Sequence, residues 1–272
     1  FVFILAPLML MAGAAPLHAW TGPAYGRSDA VLGLSIASVG AVAVIARLSA
    51  VAATAPAVAE GVSIALVCVG VASVLIGSVQ AVGAVNVRRL VAYASAAQVG
   101  CILLAVALES PAGLAAALVQ LVAFGAGAFA LLAGMLASKD STLAALDGMG
   151  RRAPIAGVAI TIGALSFMGA PLTLGFLGRW RLIEAGVGAG WWWATGAAVI
   201  TSLAAVFYGG RLIERLYFRR VTETSVFDAD PWRFARVPVL AAAVLVIACG
   251  LSPGWLLDLA ARAAALALGI GA

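Results

Sequence analysis

Polar side chains are scarce in this 272-residue chain, so the few that interrupt its apolar runs are the candidates for chemistry. The single histidine, His18, stands in Gly13-Ala14-Ala15-Pro16-Leu17-His18-Ala19-Trp20. Pro16 removes a backbone donor and tends to break or kink a helix, which leaves free carbonyls near an imidazole. A broken helix with an ionisable side chain is a recurring device in transporters. The alternative is a membrane-interface histidine beside an anchoring tryptophan. A second stretch, Asn86 through Gly100, opens with Arg88 and Arg89 and carries Tyr93, Ser95 and Gln98. It reads either as functional polar groups or as a topology-setting basic pair with small residues at a helix contact. In the third stretch, Leu165 through Trp180, Pro171 lies between Gly169 and Gly175. That argues for a discontinuous helix with Arg179 at its end; a loop arginine snorkelling to the interface is the alternative.

The elements that must position these groups are membrane spans. Hydrophobic residues make up 64% of the chain, charged residues only 10%, and the mean hydropathy is +1.13. Soluble domains carry about 25% charged residues, which excludes a water-soluble enzyme. Cys68, Cys101 and Cys249 all sit in apolar stretches and have neither disulfide-framework nor metal-ligand spacing; they read as small core residues. The formal charge of +5 does not indicate nucleic acid, because the arginines lie between apolar runs. The first residue is Phe1 and no basic region precedes the first apolar run, so the expectation is a processed precursor or an incomplete chain, not a signal peptide.

Apolar runs and their breaks predict an all-α polytopic bundle of about eight transmembrane helices, forming a single domain over residues 1–272. The spans fall near Phe1–His18, Ala30–Leu48, Val58–Val79, Leu90–Ala107, Pro111–Ala137, Ile155–Gly178, Trp191–Tyr217 and Val237–Leu251. A short terminal helix, Trp255–Leu268, follows, with Asp258 and Arg262 one turn apart. The longest polar connection is Arg219–Arg236. Small residues spaced by four, Gly33/Ala37/Ala41 and Ala126/Ala130, suit close helix packing in lipid.

If the spans alternate, one side holds Arg27, Arg88, Arg89, Lys139, Arg151, Arg152, Arg211, Arg215, Arg219, Arg220, Arg233 and Arg236. The other holds Arg47, Arg179, Arg181 and Arg262, a split of 12 against 4 among the 16 basic residues. The positive-inside rule puts the first side in the cytoplasm or matrix and both termini opposite.

The three polar stretches, in this order and spacing, resemble the antiporter-like membrane subunits of respiratory complex I, a family shared with Mrp-type cation antiporters and membrane-bound hydrogenases. The family's Lys-Ala-x-x-x-Pro-x-His-x-Trp segment is matched by Met11 through Trp20. Its Asp/Asn-x-Lys-Arg-Leu-x-Ala-Tyr-Ser-Ser segment is matched from Asn86 to Gly100, and its Leu-Ser-x-x-Gly-x-Pro-x-x-x-Gly-Phe-x-x-Lys segment from Leu165 to Arg179. Gly127-Ala128-Phe129 and Ala170 through Phe176 are most similar to the N-type subunit, the one nearest the quinone-reacting end. The resemblance covers the latter eight helices of the family; the earlier ones, including the helix bearing the conducting glutamate, are absent from this sequence.

The resemblance implies a membrane-arm subunit of a complex I-type NADH:quinone oxidoreductase in an energy-transducing membrane, mitochondrial or bacterial. Its partners would be other membrane-arm subunits and lipids, with no nucleic acid. It would bind no cofactor, since no Gly-x-Gly-x-x-Gly follows a strand and no cysteine cluster occurs. The family moves protons along buried lysines, a glutamate, histidines and water, and here that row is depleted. Met11 and Val39 occupy two family lysine positions, and Arg179, whose guanidinium is not deprotonated in proteins, occupies a third. His18 is the one proton-path residue kept; Ser35, Ser38, Tyr93 and Thr173 are the polar side chains left to hold water. A mainly structural role with a degraded proton path follows. A cation/proton antiporter or hydrogenase subunit, or an assembly protein derived from the family, are the alternatives. Glu184, five residues after Arg179, would pair with it only if the Pro171 break lets them meet; a carbonyl is the other partner a guanidinium favours.

Overall fold

A polypeptide in lipid must satisfy its backbone hydrogen bonds within itself, and the apolar runs do so as helices. A computed structural model describes residues 2–27, 31–138, 140–220 and 229–269. The helices are α1 (Val2–Ala12), α2 (Thr21–Arg27), α3 (Val31–Ala52), α4 (Pro56–Gly83), α5 (Val87–Ala107) and α6 (Pro111–Gly134). They continue with α7 (Met149–Arg152), α8 (Pro154–Met168), α9 (Leu174–Gly188), α10 (Trp192–Tyr217), α11 (Ala229–Leu251) and α12 (Gly254–Ala267). Prolines open α4, α6 and α8, where a missing N–H costs nothing. Asn86 and Ser110 cap α5 and α6, accepting from the Arg89 and Gly113 amides at 3.1 Å each. Among the described residues the only β-type pairing is an isolated bridge between Asn86 and Thr142.

Among the described residues six helical segments are long and apolar enough to cross a membrane, and a seventh is added if α11 and α12, bent by 87°, count as one. The predicted span Ile155–Gly178 is instead α8 and α9, of 15 residues each. Each is about 22 Å long, too short alone for a hydrocarbon core of about 30 Å. Both expected discontinuities are present. α1 stops at Ala12 and the chain resumes as a 3-10 turn over Leu17–Trp20; α8 stops at Met168 and α9 begins at Leu174.

Helix α5 is the axis of the bundle, buried almost from end to end between α4 and α6. Small residues set that contact, though not at the Gly33 stripe. A Cβ at Gly33 would meet nothing within 4 Å, whereas one at Gly100 would stand 2.8 Å from the Val74 nitrogen and one at Gly77 2.8 Å from the Ala97 nitrogen. The Ala126/Ala130 pair is buried as expected.

One end of the bundle is tied together by the basic residues. Arg215 Nη1 donates to both carboxylate oxygens of Asp147 at 3.1 and 3.0 Å, Arg211 donates to the Ala84 carbonyl at 2.6 Å, and Arg151 to the Tyr217 carbonyl at 2.9 Å. In the loop between α6 and α7, Asp140 accepts from the Thr142 hydroxyl at 2.6 Å, and this bond, helped by the Ser141 and Thr142 amides, holds its carboxyl below the ordinary value. Lys139 and the middle of the Arg219–Arg236 connection lie outside the described residues. Arg179, assigned above to the sparse side, is inside the bundle and only 3% exposed. The basic asymmetry is therefore wider than alternation alone suggests.

The crossing of α9 over the end of α8 makes a test. A Cβ at Gly175 would collide with the Ser166 carbonyl, so Gly175→Val should cost at least the 1–3 kcal/mol typical of overpacking, about. Gly33→Val, in open space, should leave the midpoint unchanged. Thermal unfolding of the two variants in one detergent compares them, and equal midpoints would contradict this packing.

Candidate functional site

Polar groups collect at the two helix breaks, where backbone atoms leave the helical ladder. At the first break, His18 is buried in the 3-10 turn and its Nε2 lies 2.8 Å from Gln80 Oε1 on α4. The Gln80 oxygen can only accept, so Nε2 carries the proton of that bond; Nδ1 has no partner. The Ala15 amide donates to Ser73 Oγ at 2.8 Å, and the Thr21 hydroxyl to the His18 carbonyl at 2.8 Å. Trp20 Nε1 donates to the Leu10 carbonyl at 2.8 Å, which folds the turn back onto α1. Ser35 and Ser38 are buried on α3 and hydrogen-bond the buried Tyr25 hydroxyl; Ser38 also donates to the Leu34 carbonyl at 3.1 Å and the Met11 carbonyl at 3.4 Å.

Met11 and Val39 border this cluster, the first through its carbonyl, which accepts from Ser38, and the second beside Ser35. The Met11 side chain is half exposed on the bundle surface. Val39 lines a mainly apolar recess of about 170 Å³ with Leu32, Ser35, Ile36, Gly125 and Phe129. Tyr93 is half-buried on α5, fitted against Gly22 of α2, where a Cβ would clash with the ring and hydroxyl.

At the second break, the last turn of α8 exposes carbonyls that have no helical partner and lie at the negative end of its dipole. The Phe167 carbonyl accepts from Gln98 Nε2 at 3.2 Å and, in a short contact, from Arg179 Nη2. Gln98 Oε1 in turn accepts from Gln120 Nε2 at 2.8 Å, linking α5, α6, α8 and α9. Gly169 ends α8 with φ +71°, and a Cβ there would stand 2.6 Å from Arg179 Nη1, so the arginine requires glycine at that turn. Cys101 and Tyr208 are the ionisable side chains facing the guanidinium; Cys101 Sγ donates to Thr201 Oγ1 at 3.5 Å. Thr173 is buried and donates to the Ala170 carbonyl at 2.7 Å, which braces the turn between α8 and α9.

Glu184 is not the partner of Arg179. It pairs with Arg181 at 2.8 Å, because α9 runs uninterrupted through both residues and puts them on one face. Among the described residues no carboxylate pairs with Arg179, and its Nε and Nη1 find no acceptor in the protein.

Sequence reasoning passed over Tyr25, Ser73, Gln80, Gln120, Thr201 and Tyr208. The available signal was the uncharged amide: Gln80 and Gln120 each interrupt a long apolar run, and an intramembrane polar group needs a partner.

Residues 1–205 match the family model described as NADH:quinone oxidoreductase/Mrp antiporter, TM. The chain belongs to that family. It is 32% identical over 269 residues to NADH-quinone oxidoreductase subunit N of Mycobacterium tuberculosis, covering 95% of this chain and 51% of the relative. It is 34% identical over 266 residues to subunit N of Ectopseudomonas mendocina, covering 93% of this chain and 53% of the relative. The chain thus spans about half the length of the curated relatives it matches. A chain of respiratory complex I from Thermus thermophilus superposes with a TM-score of 0.75 at 30% identity over 93% of this chain and 57% of that one. A chain of the Mrp complex from a Dietzia species gives a TM-score of 0.82 at 24% identity, with 98% and 59% covered, a likeness of fold alone.

The amide relay in this family member has a measurable signature. Gln98→Leu strips the acceptor from Gln120 and should cost about 1–3 kcal/mol, the penalty of one buried unsatisfied group. The double variant Gln98→Leu/Gln120→Leu should recover part of that loss, because it removes both members. Unfolding midpoints of the single and double variants decide it; a double variant losing the sum of the two singles would contradict the relay.

Proposed function

We propose that the chain forms part of an N-type membrane-arm subunit of a complex I-type NADH:quinone oxidoreductase, in which Arg179 is a fixed charge and not a proton relay. The observation that carries this reading is the engagement of Arg179 by the Phe167 carbonyl at the end of α8, without a carboxylate. A proton relay must gain and lose charge, and lysine does so readily when buried. The guanidinium remains charged and is held by a helix end whose partial charge opposes it. Met11 at the surface and Val39 beside a mainly apolar recess supply no switchable group either. His18 is the remaining side chain whose residue type changes charge near neutrality, and Gln80 fixes its ring.

In this reading the chain docks neighbouring membrane subunits, seals the arm and contacts lipid, while nicotinamide, flavin and iron–sulfur chemistry belong to other chains. Its membrane is an energy-transducing one, with the basic end of the bundle toward the cytoplasm or matrix and both termini opposite.

Two experiments test it. With NADH oxidation held comparable in reconstituted complex, Arg179→Met should leave the protons moved per NADH unchanged, and Arg179→Lys should not raise them. Both should lower complex abundance or thermal stability, since methionine has no donor and lysine lacks the guanidinium's planar fork. A lower stoichiometry for the methionine variant at unchanged abundance would overturn the fixed-charge reading. For orientation, cysteines replacing Arg219 and Thr54, at opposite ends of the bundle, should react with an impermeant thiol reagent from opposite faces of sealed vesicles, Arg219→Cys from the cytoplasmic or matrix face. The reverse pattern would invert the topology.

A further inference from the structure

A cavity of about 640 Å³ lies away from both helix breaks, between the start of α6, the end of α9 and α12. Half of its lining residues are alanine or glycine, including Ala112, Ala115, Ala185 and Gly188, alongside Val119 and Leu257. Side chains of this size cannot fill the space between three helices. In lipid no hydrophobic drive collapses it, because acyl chains are as apolar as the walls.

The mouth is polar. Arg181, Glu184 and Asp258 line it, one cation and two carboxylates. Arg181 uses one nitrogen on Glu184, and both remain about half exposed. Asp258 is exposed and, among the described residues, is in no ion pair, although Arg262 lies one turn along the same helix. The level of the mouth is marked independently. Gly188 and Ala189 of its rim run directly into Trp191, Trp192 and Trp193, and Trp192 and Trp193 are exposed. Exposed tryptophans at a helix end characterise the headgroup layer.

We propose that this cavity is a binding site for one phospholipid with a primary-amine zwitterionic headgroup, of the phosphatidylethanolamine type. An acyl chain occupies the alanine-lined space, Arg181 pairs with the phosphate, and Asp258 with Glu184 accepts from the ammonium. The net charge of the three mouth residues is −1, which disfavours an anionic headgroup. A quaternary ammonium offers no N–H to the two carboxylates, which disfavours a choline headgroup. A helix from a neighbouring subunit would fill the space equally well but gives no reason for an unpaired carboxylate at headgroup level.

The assembly containing this chain, purified in mild detergent and exchanged into nanodiscs of equimolar dioleoyl-phosphatidylethanolamine, -phosphatidylcholine and -phosphatidylglycerol, provides the test. Native mass spectrometry after release should find one phosphatidylethanolamine retained on this chain at about tenfold preference, equivalent to 1.4 kcal/mol. Ala115→Phe, which fills the cavity, should abolish retention. Asp258→Asn, at an exposed position that leaves the fold intact, should erase the preference for ethanolamine over choline while a lipid is still retained. Val79→Phe, on the outer surface of α4, should change nothing. Retention of phosphatidylglycerol, equal retention of all three lipids, no retained lipid, or loss of a neighbouring protein subunit in Ala115→Phe would each overturn the proposal.

Discussion

The polar architecture of the second break depends on one carbonyl. The backbone oxygen of Phe167 is freed because α8 ends two residues later at Gly169, and it accepts from both Gln98 and Arg179. In lipid, a helix can stop in the bundle interior only if neighbouring groups take over its last carbonyls. Here a guanidinium does so, and the same bond lets the guanidinium exist there, since a buried charge without compensation would cost several kcal/mol, about. Helix end and charge are mutually required. The glycines follow from this: Gly169 makes room for the guanidinium and Gly175 lets α9 cross the α8 terminus.

The first break is built differently. It carries an imidazole, not a permanent charge, and its backbone is held by neutral groups, with Ser73 taking the Ala15 amide and Trp20 reaching back to Leu10. Both breaks are braced by an amide on a continuous helix, Gln80 for His18 and Gln98 for Phe167. A glutamine suits that post because it donates and accepts without bringing a charge into lipid.

The sequence made the helices and both breaks legible, because proline and glycine punctuate apolar runs for steric reasons that need no tertiary context. Arg179 could be singled out for the same reason. Its partner could not: a carbonyl carries no sequence signal, whereas Glu184 does, and α9 turns Glu184 toward Arg181. The Gln98–Gln120 relay was hidden because the two residues sit on different helices 22 positions apart, and only packing brings them together. Helix count was harder still. The run Ile155–Gly178 has the length of a span, yet Gly169 and Pro171 divide it into two helices that are each too short. The Gly33/Ala37/Ala41 spacing was legible only in part, with Ala41 buried and Gly33 facing open space, because spacing identifies a face but not whether a neighbour approaches it.

These observations separate the scaffold of the family from its proton chemistry. Both breaks are features of the backbone, held without a lysine: the first by Ser73, Gln80 and Trp20, the second by Gln98 and Arg179. On the proposed reading, what matters at position 179 is whether its charge can be switched. Arginine is the one cation that keeps the α8 terminus neutralised while removing the switch, because it offers donors in several directions and holds its proton. A neutral residue at position 179 would leave the Phe167 carbonyl with Gln98 alone and remove the opposing charge from the helix end. In the proposed role of Arg179 as a fixed charge, the α8 terminus demands a cation whether or not a proton moves through the site.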